Sequence, residues 1–162
     1  MTTYLLDADV FMQAKNLHYA FDFCPAFWSW LDGAHESGSV FSVEKIGDEI
    51  LAGTDELAEW AGDRESLFLK PDSDVVASLR ITSTWANGAG YGPSAVNVFL
   101  QVADYYLVAH AHAHGHVVVT HEKPGARKKI KIPDACIGIG VKCMTPYEML
   151  RAERARFVLQ GG

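Results

Sequence analysis

Four acids and one basic run carry the chemistry open to this sequence. Asp7, Glu49, Asp104 and Glu122 each sit beside an apolar strand or on the apolar side of a helix. Buried carboxylates need a cation or a donor to meet them. A set of carboxylate oxygens, with no cysteine and no required histidine, selects Mg2+ or Mn2+. Four such groups in one pocket repel one another without cations and stay ionised with them. One or two bound ions can polarise a phosphodiester, lower the pKa of an attacking water and stabilise the leaving oxygen. The basic run Lys123, Arg127, Lys128, Lys129 and Lys131 follows Glu122 directly. Lys123, Arg127 and Lys128 are candidates for phosphate contact. The alternative is an ordinary solvated loop.

The elements that must position these groups begin with Tyr4-Leu5-Leu6. This unbroken apolar run reads as a strand buried on both faces, as inside a parallel sheet. Asp7 ends it, where open α/β sheets place their sites. Val117-Val118-Val119 repeats the pattern and ends in Thr120-His121-Glu122. If the two strands are parallel neighbours, their terminal acids meet. Asp9 is either a further acid beside Asp7 or the cap of a short helix.

Between these strands lie a helix from Pro25 to about His35 and a strand Val40–Val43. The aromatics Phe27, Trp28 and Trp30 of that helix are read as core. A helix from about Lys45 to Trp60 carries the stripe Ile46, Ile50, Gly53 and Leu57. At about 100° per residue, Asp48 points away from that stripe and Glu49 lies beside it. Leu67–Leu69 reads as a short extended piece. A helix capped by Asp72 or Ser73 then carries Val75, Val76, Leu79 and Trp85. The glycine-rich loop Asn87–Pro93 lacks the order of a phosphate loop.

Ser94 to His114 is helical in pattern. Leu107, Val108 and Ala111 place Asp104 on the buried side. A break just before Asp104, which would put it at a helix N-terminus, stays open. His110 and His114 are spaced to chelate a metal, but the Glu of a His-Glu-x-x-His motif is missing. They are read instead as helix-end histidines favoured by the dipole, with Gly115 closing the helix. Asp134 is read as a turn or cap residue. Val141–Met144 is a last strand. Thr145 to Glu148 forms a capping box opening a helix that runs to about Leu159.

The chain has 162 residues, with 14 basic and 20 acidic, for a formal charge of −6. That suits one domain, and any nucleic-acid contact must use a local basic patch. Cys24, Cys136 and Cys143 form no CxxC pair and read as reduced thiols. No apolar run approaches the ~18 residues of a membrane span. A soluble cytoplasmic protein without membrane contact is expected. The strand–helix alternation implies a three-layer α/β/α sandwich with a central parallel sheet.

Tyr4-Leu5-Leu6-Asp7, Asp48-Glu49-Ile50-Leu51, Ala103-Asp104-Tyr105-Tyr106-Leu107-Val108-Ala109 and Val118-Val119-Thr120-His121-Glu122 together resemble the ordered motifs of PIN-domain nucleases. Ile132-Pro133-Asp134-Ala135-Cys136 and the stretch Thr145 to Leu150 look like a bacterial PIN-like branch of domains of unknown function. The resemblance spans nearly the whole chain. It implies a metal-dependent endonuclease on single-stranded RNA, often the toxin of a toxin–antitoxin pair in the manner of the VapC-type toxins. Partners would be RNA, an antitoxin and, by analogy, a second copy in a homodimer. By position, Asp7 and Asp104 would be the main metal ligands, joined by Glu122 in place of the usual Asp. Glu49 would be the acid of the third helix. Thr120 would supply the hydroxyl beside the fourth acid, at the substrate side of the site.

Two other readings stand beside it. Asp7-Ala8-Asp9-Val10 fits the nucleophile-x-Asp motif of haloacid-dehalogenase-type phosphatases. A catalytically degenerate PIN-like module that only binds or assembles is the other.

Overall fold

The first strand sets the architecture. In the computed structural model, which describes residues 1–159, β1 (Tyr4–Leu6) is buried at every residue. Leu5 and Leu6 have no exposure, and such burial contributes about 1.5–3 kcal/mol per side chain. β1 lies at the centre of a five-stranded sheet in which all pairings are parallel. Its neighbours are β2 (Val40–Val43) and β4 (Val117–Val119), with β3 (Phe68–Leu69) and β5 (Cys143–Met144) at the edges. The order is β3-β2-β1-β4-β5. The register pairs Leu6 with Val119, so both strands end at the same level.

Helices cover both faces, giving the expected three-layer sandwich. They are α1 (Ala8–Gln13), α2 (Pro25–Glu36), α3 (Glu44–Leu51), α4 (Glu56–Gly62), α5 (Ser73–Gly88), α6 (Pro93–Leu100), α7 (Ala103–His114), α8 (Ile132–Ile139) and α9 (Pro146–Ala152). A π-turn (Ala14–His18) extends α1. One contiguous core runs from Tyr4 to Leu150. Phe27 and Trp28 belong to it, and Trp30 packs on its margin.

Several elements differ from the sequence expectation. The helix expected from Lys45 to Trp60 is two helices. The Asp55 carboxylate accepts the Ala58 N–H at 3.0 Å and starts α4 afresh, while Gly53 is exposed rather than part of the stripe. The stretch from Ser94 to His114 is also two helices, parted at Gln101-Val102. That is the break before Asp104 which the sequence left open. The last helix ends at Ala152, where Arg154 takes a left-handed φ of 56°, and does not reach Leu159. Ile132 begins α8, with Pro133 in its first turn. The α5 cap is Asp72, and the capping box at Thr145 and Glu148 forms as read.

Two features of these helices matter for the site. The break before Ala103 puts Asp104 in the first turn of α7. Gly47 lets α3 lie directly on β3, since a Cβ there would stand 2.8 Å from Phe68 Cγ. Glu49, two residues on, is exposed and lines the cleft that Asp104 and Glu122 also line.

Candidate active site

The strand order decides where a site can form. The chain steps outward from β1 to β2 to β3, then crosses to β4 and β5 on the other side of β1. The direction reverses between β1 and β4. In open parallel sheets, ligands bind outside the carboxyl ends of the strands at that point. Asp7 follows β1 there and Thr120-His121-Glu122 follows β4.

Asp7 is 5 % exposed and caps α1. Its Oδ1 accepts the Ala8 N–H at 2.7 Å, and its Oδ2 accepts the Thr120 hydroxyl at 2.8 Å. Thr120 Oγ1 in turn accepts the Glu122 N–H at 3.1 Å. Asp9 turns to the same place. It accepts the His121 N–H at 3.2 Å, and its Oδ2 lies 3.3 Å from the Thr120 hydroxyl. That hydroxyl has one proton, and the shorter, buried contact to Asp7 takes it.

Asp104 comes from α7 and Glu49 from α3. With Glu122 they line a cleft of about 260 Å³, together with Phe99, Lys129 and Lys131. Burial pushes the Asp104 carboxyl up to about 7, helped by Glu122, Glu49 and Asp9 and opposed by Lys131. Burial also holds the Asp7 carboxyl well above its usual range, with Asp9, Asp104 and Glu122 adding to the rise and the Thr120 hydrogen bond opposing it. Glu49 is raised by burial. The structure thus brings Asp7, Glu49, Asp104 and Glu122 together and adds Asp9. Asp48, by contrast, lines a separate groove with Gly47 and Phe68.

A family model described as "Domain of unknown function (DUF4411)" matches residues 4–157. The chain belongs to the DUF4411 family. Comparisons with curated proteins and with solved structures give no match. The span matched by DUF4411 contains all five acids and every strand of the sheet.

The expected contact residues of this DUF4411 domain divide in three. Thr120 is 1 % exposed and its hydroxyl donates to Asp7, so it positions that acid from beneath. Lys123 lines a second groove with Pro124, Cys143 and Glu148, while Arg127 and Lys128 are exposed on the loop between β4 and α8. The cations in the acidic cleft are instead Lys129 and Lys131. Asp134 accepts the Gly125 N–H at 3.0 Å and closes that loop, in agreement with a turn role. Glu122 has a second duty: its Oε2 accepts the Ile132 N–H at 2.8 Å and so caps α8. Asp9 had one sequence signal, its place two residues after Asp7. Only the backbone at the start of α1 turns it inward.

The acids of the cleft are spread. Among the described residues, no three of them bring ligand atoms within 4.8 Å of one another; the trio that does so is Asp72, Asp74 and His114, elsewhere on the surface. A spread set suits a hydrated hard cation, because Mg2+ keeps several waters and takes one or two carboxylates. The donors are all oxygen, and a divalent ion would offset both the burial and the like-charge repulsion that raise Asp7 and Asp104. The residues present therefore fit Mg2+ or Mn2+.

Among the described residues, no helix is long and apolar enough to cross a membrane. The three cysteines are free thiols.

Proposed function

We propose that this protein is a metal-dependent endoribonuclease of PIN type acting on single-stranded RNA in the cytoplasm. The observation that carries the reading is the convergence of five carboxylates at the switch point of the sheet, with two of them raised by burial and by their neighbours. Asp7 and Asp104 would hold Mg2+ or Mn2+, with Glu122 completing the set through the oxygen that does not cap α8. A bound ion supplies a water of lowered pKa and charge stabilisation on the phosphodiester oxygens.

The chain's own residues do the rest. Thr120 fixes the Asp7 carboxylate through its hydroxyl, so that carboxylate needs no reorientation when a substrate arrives. Asp9 is held beside Asp7 by the His121 N–H, which donates to it. Glu49 stands across the cleft and can accept a proton from a water there. Lys129 and Lys131 meet the phosphate backbone at the same cleft. A toxin role with an antitoxin partner, and a homodimer, rest on the resemblance to VapC-type toxins.

The test is cleavage of a mixed single-stranded RNA with Mn2+, with EDTA, and by the Asp7→Asn variant. Cutting that needs both the metal and Asp7 is expected. Metal-independent cutting, or full cutting by Asp7→Asn, would sink the assignment. One observation favours a second reading: Asp9 shares the pocket with Asp7, as a phosphatase of the nucleophile-x-Asp kind requires. Hydrolysis of a small phosphate ester, lost in Asp9→Asn, would select that reading.

A further inference from the structure

Three aromatic rings border the acids and take no part in the metal chemistry. His121 stands between Thr120 and Glu122, and its N–H donates to Asp9 at 3.2 Å. Its ring centroid lies 5.6 Å from that of His18 and 5.7 Å from that of Tyr147. His18 and Tyr147 are themselves 5.8 Å apart, edge to face, with the Tyr147 hydroxyl 3.1 Å from His18 Nε2. All three spacings are those of rings in contact. The rings come from three separate elements: the turn after α1, the end of β4 and the start of α9.

These rings are not core. Phe11, Phe27 and Trp28 also meet in ring contacts, but they are buried. His18 is exposed, His121 is half-buried, and Tyr147 is the one exposed tyrosine of the six. The backbone nevertheless fixes each of them. His18 ends a π-helical turn, Ala14–His18, a rare conformation that recurs at functional sites. Tyr147 sits in the first turn of α9, opened by the capping box of Thr145 and Glu148. His121 is anchored through Asp9. The patch is therefore formed in advance, and little further ordering is needed when a ligand arrives.

We propose that His18, His121 and Tyr147 form a stacking site for one unpaired base of the RNA strand whose phosphodiester lies at the acids. The inference rests on the nuclease reading. Asp9 beside the patch disfavours a phosphate there, whereas a base is uncharged and presents a π face. Unpaired bases splayed from RNA stack on histidine and tyrosine rings. Arg151, exposed and one turn beyond Tyr147 on α9, offers a positive partner to the neighbouring phosphate. Lys129 and Lys131 hold backbone at the cleft and read no base. Stacking accepts every base, so the patch selects unpaired from paired strands and not one sequence from another.

The test is binding of the full chain to a labelled single-stranded RNA of mixed sequence and to an abasic strand of the same length and charge, read by fluorescence anisotropy with Ca2+ in place of Mn2+. The wild type should bind the base-bearing strand at least about fivefold more tightly, the low end of what one stacked base contributes. Tyr147→Leu and His18→Ala should remove most of that preference, while affinity for the abasic strand, set by charge, stays as it was. Tyr147→Phe, which keeps the ring and loses the hydroxyl, should retain the preference. Both positions are exposed, so the variants should fold. Equal affinity for the two strands in the wild type overturns the proposal. So does a preference that survives both Tyr147→Leu and His18→Ala, or a loss of affinity in them for both strands alike. Where Mn2+-dependent cutting by the wild type accompanies any of these results, the nuclease stands and only the stacking site falls. Binding to neither strand, with no cutting, sinks both.

Discussion

The two ends of α7 make the most instructive comparison in the molecule. At its N-terminus Asp104 faces four other carboxylates. At its C-terminus His110, His114 and His116 crowd together before and after Gly115. The helix dipole favours a negative charge at the first end and a positive charge at the second. The packing opposes both. Asp104 is pushed up to about 7, and burial, with His114 and His116, pulls His110 down to about 4. The dipole contributes about 0.3–1 kcal/mol, less than one pKa unit at about 1.4 kcal/mol. Burial and like-charged neighbours therefore outweigh it at both ends. Each end gathers titratable groups of one kind, carboxylates at the first and imidazoles at the second.

The largest effect that would break this comparison is on cleavage. Asp104→Asn should lower metal-dependent RNA cutting by more than about 100-fold, the upper range for losing even a supporting group of a metal site. Cleavage at the wild-type rate would detach that end of α7 from the chemistry.

The two ends should also pull stability in opposite directions with pH. Asp104 binds its proton more tightly folded than unfolded, so the stability it lends is full below about pH 4 and is lost as pH rises toward 7. His110 binds its proton less tightly when folded, so its share is present above about 6.5 and is lost as pH falls toward 4. Asp104→Asn should thus raise the metal-free Tm at pH 8. A third of the Asp104 rise realised in solution corresponds to about 1.4 kcal/mol. A lower Tm at pH 8 would show that the carboxylate is supported rather than stressed.

Thr120→Val keeps the shape of the side chain and removes the hydroxyl from Asp7. It should cut activity about 10-fold to 100-fold, the range for groups that orient a metal ligand, and raise the Asp7 pKa further, seen as an alkaline shift of the pH–rate profile. A lower rate with an unmoved profile would make Thr120 merely structural. The smallest effect belongs to the other end. Gly115 has φ +68° and nothing within 4 Å of an added Cβ, so Gly115→Ala should cost roughly 1 kcal/mol of backbone strain. It should leave cleavage untouched, and a loss of cleavage would mean that the two ends are coupled.

The legible part of the fold was written in local patterns. The apolar runs Tyr4–Leu6 and Val117–Val119 are too continuous for anything but buried strands. Asp72, Thr145 and Gly115 stop or start helices through their own side chains or backbone freedom, and those signals need no distant partner. The breaks at Thr54 and Val102 were harder to see, because apolar periodicity runs on across them.

The sequence by itself determined that this is a parallel α/β protein and that acids end its two central strands. It also determined that Glu49, not Asp48, sits beside an apolar face, because side-chain direction on a helix follows from spacing alone. Only the tertiary structure decided the company each group keeps. The pairing of β1 with β4 set Thr120 under Asp7 and brought in Asp9, and the turn of the loop after β4 put Lys129 and Lys131, rather than Lys123, in the cleft. The same holds at the far end of α7, where His114 meets the Asp72 carboxylate more than forty residues earlier in the chain. Charge state depends on burial and on neighbours within a few ångströms, and those are properties of the packed chain, not of any segment of it.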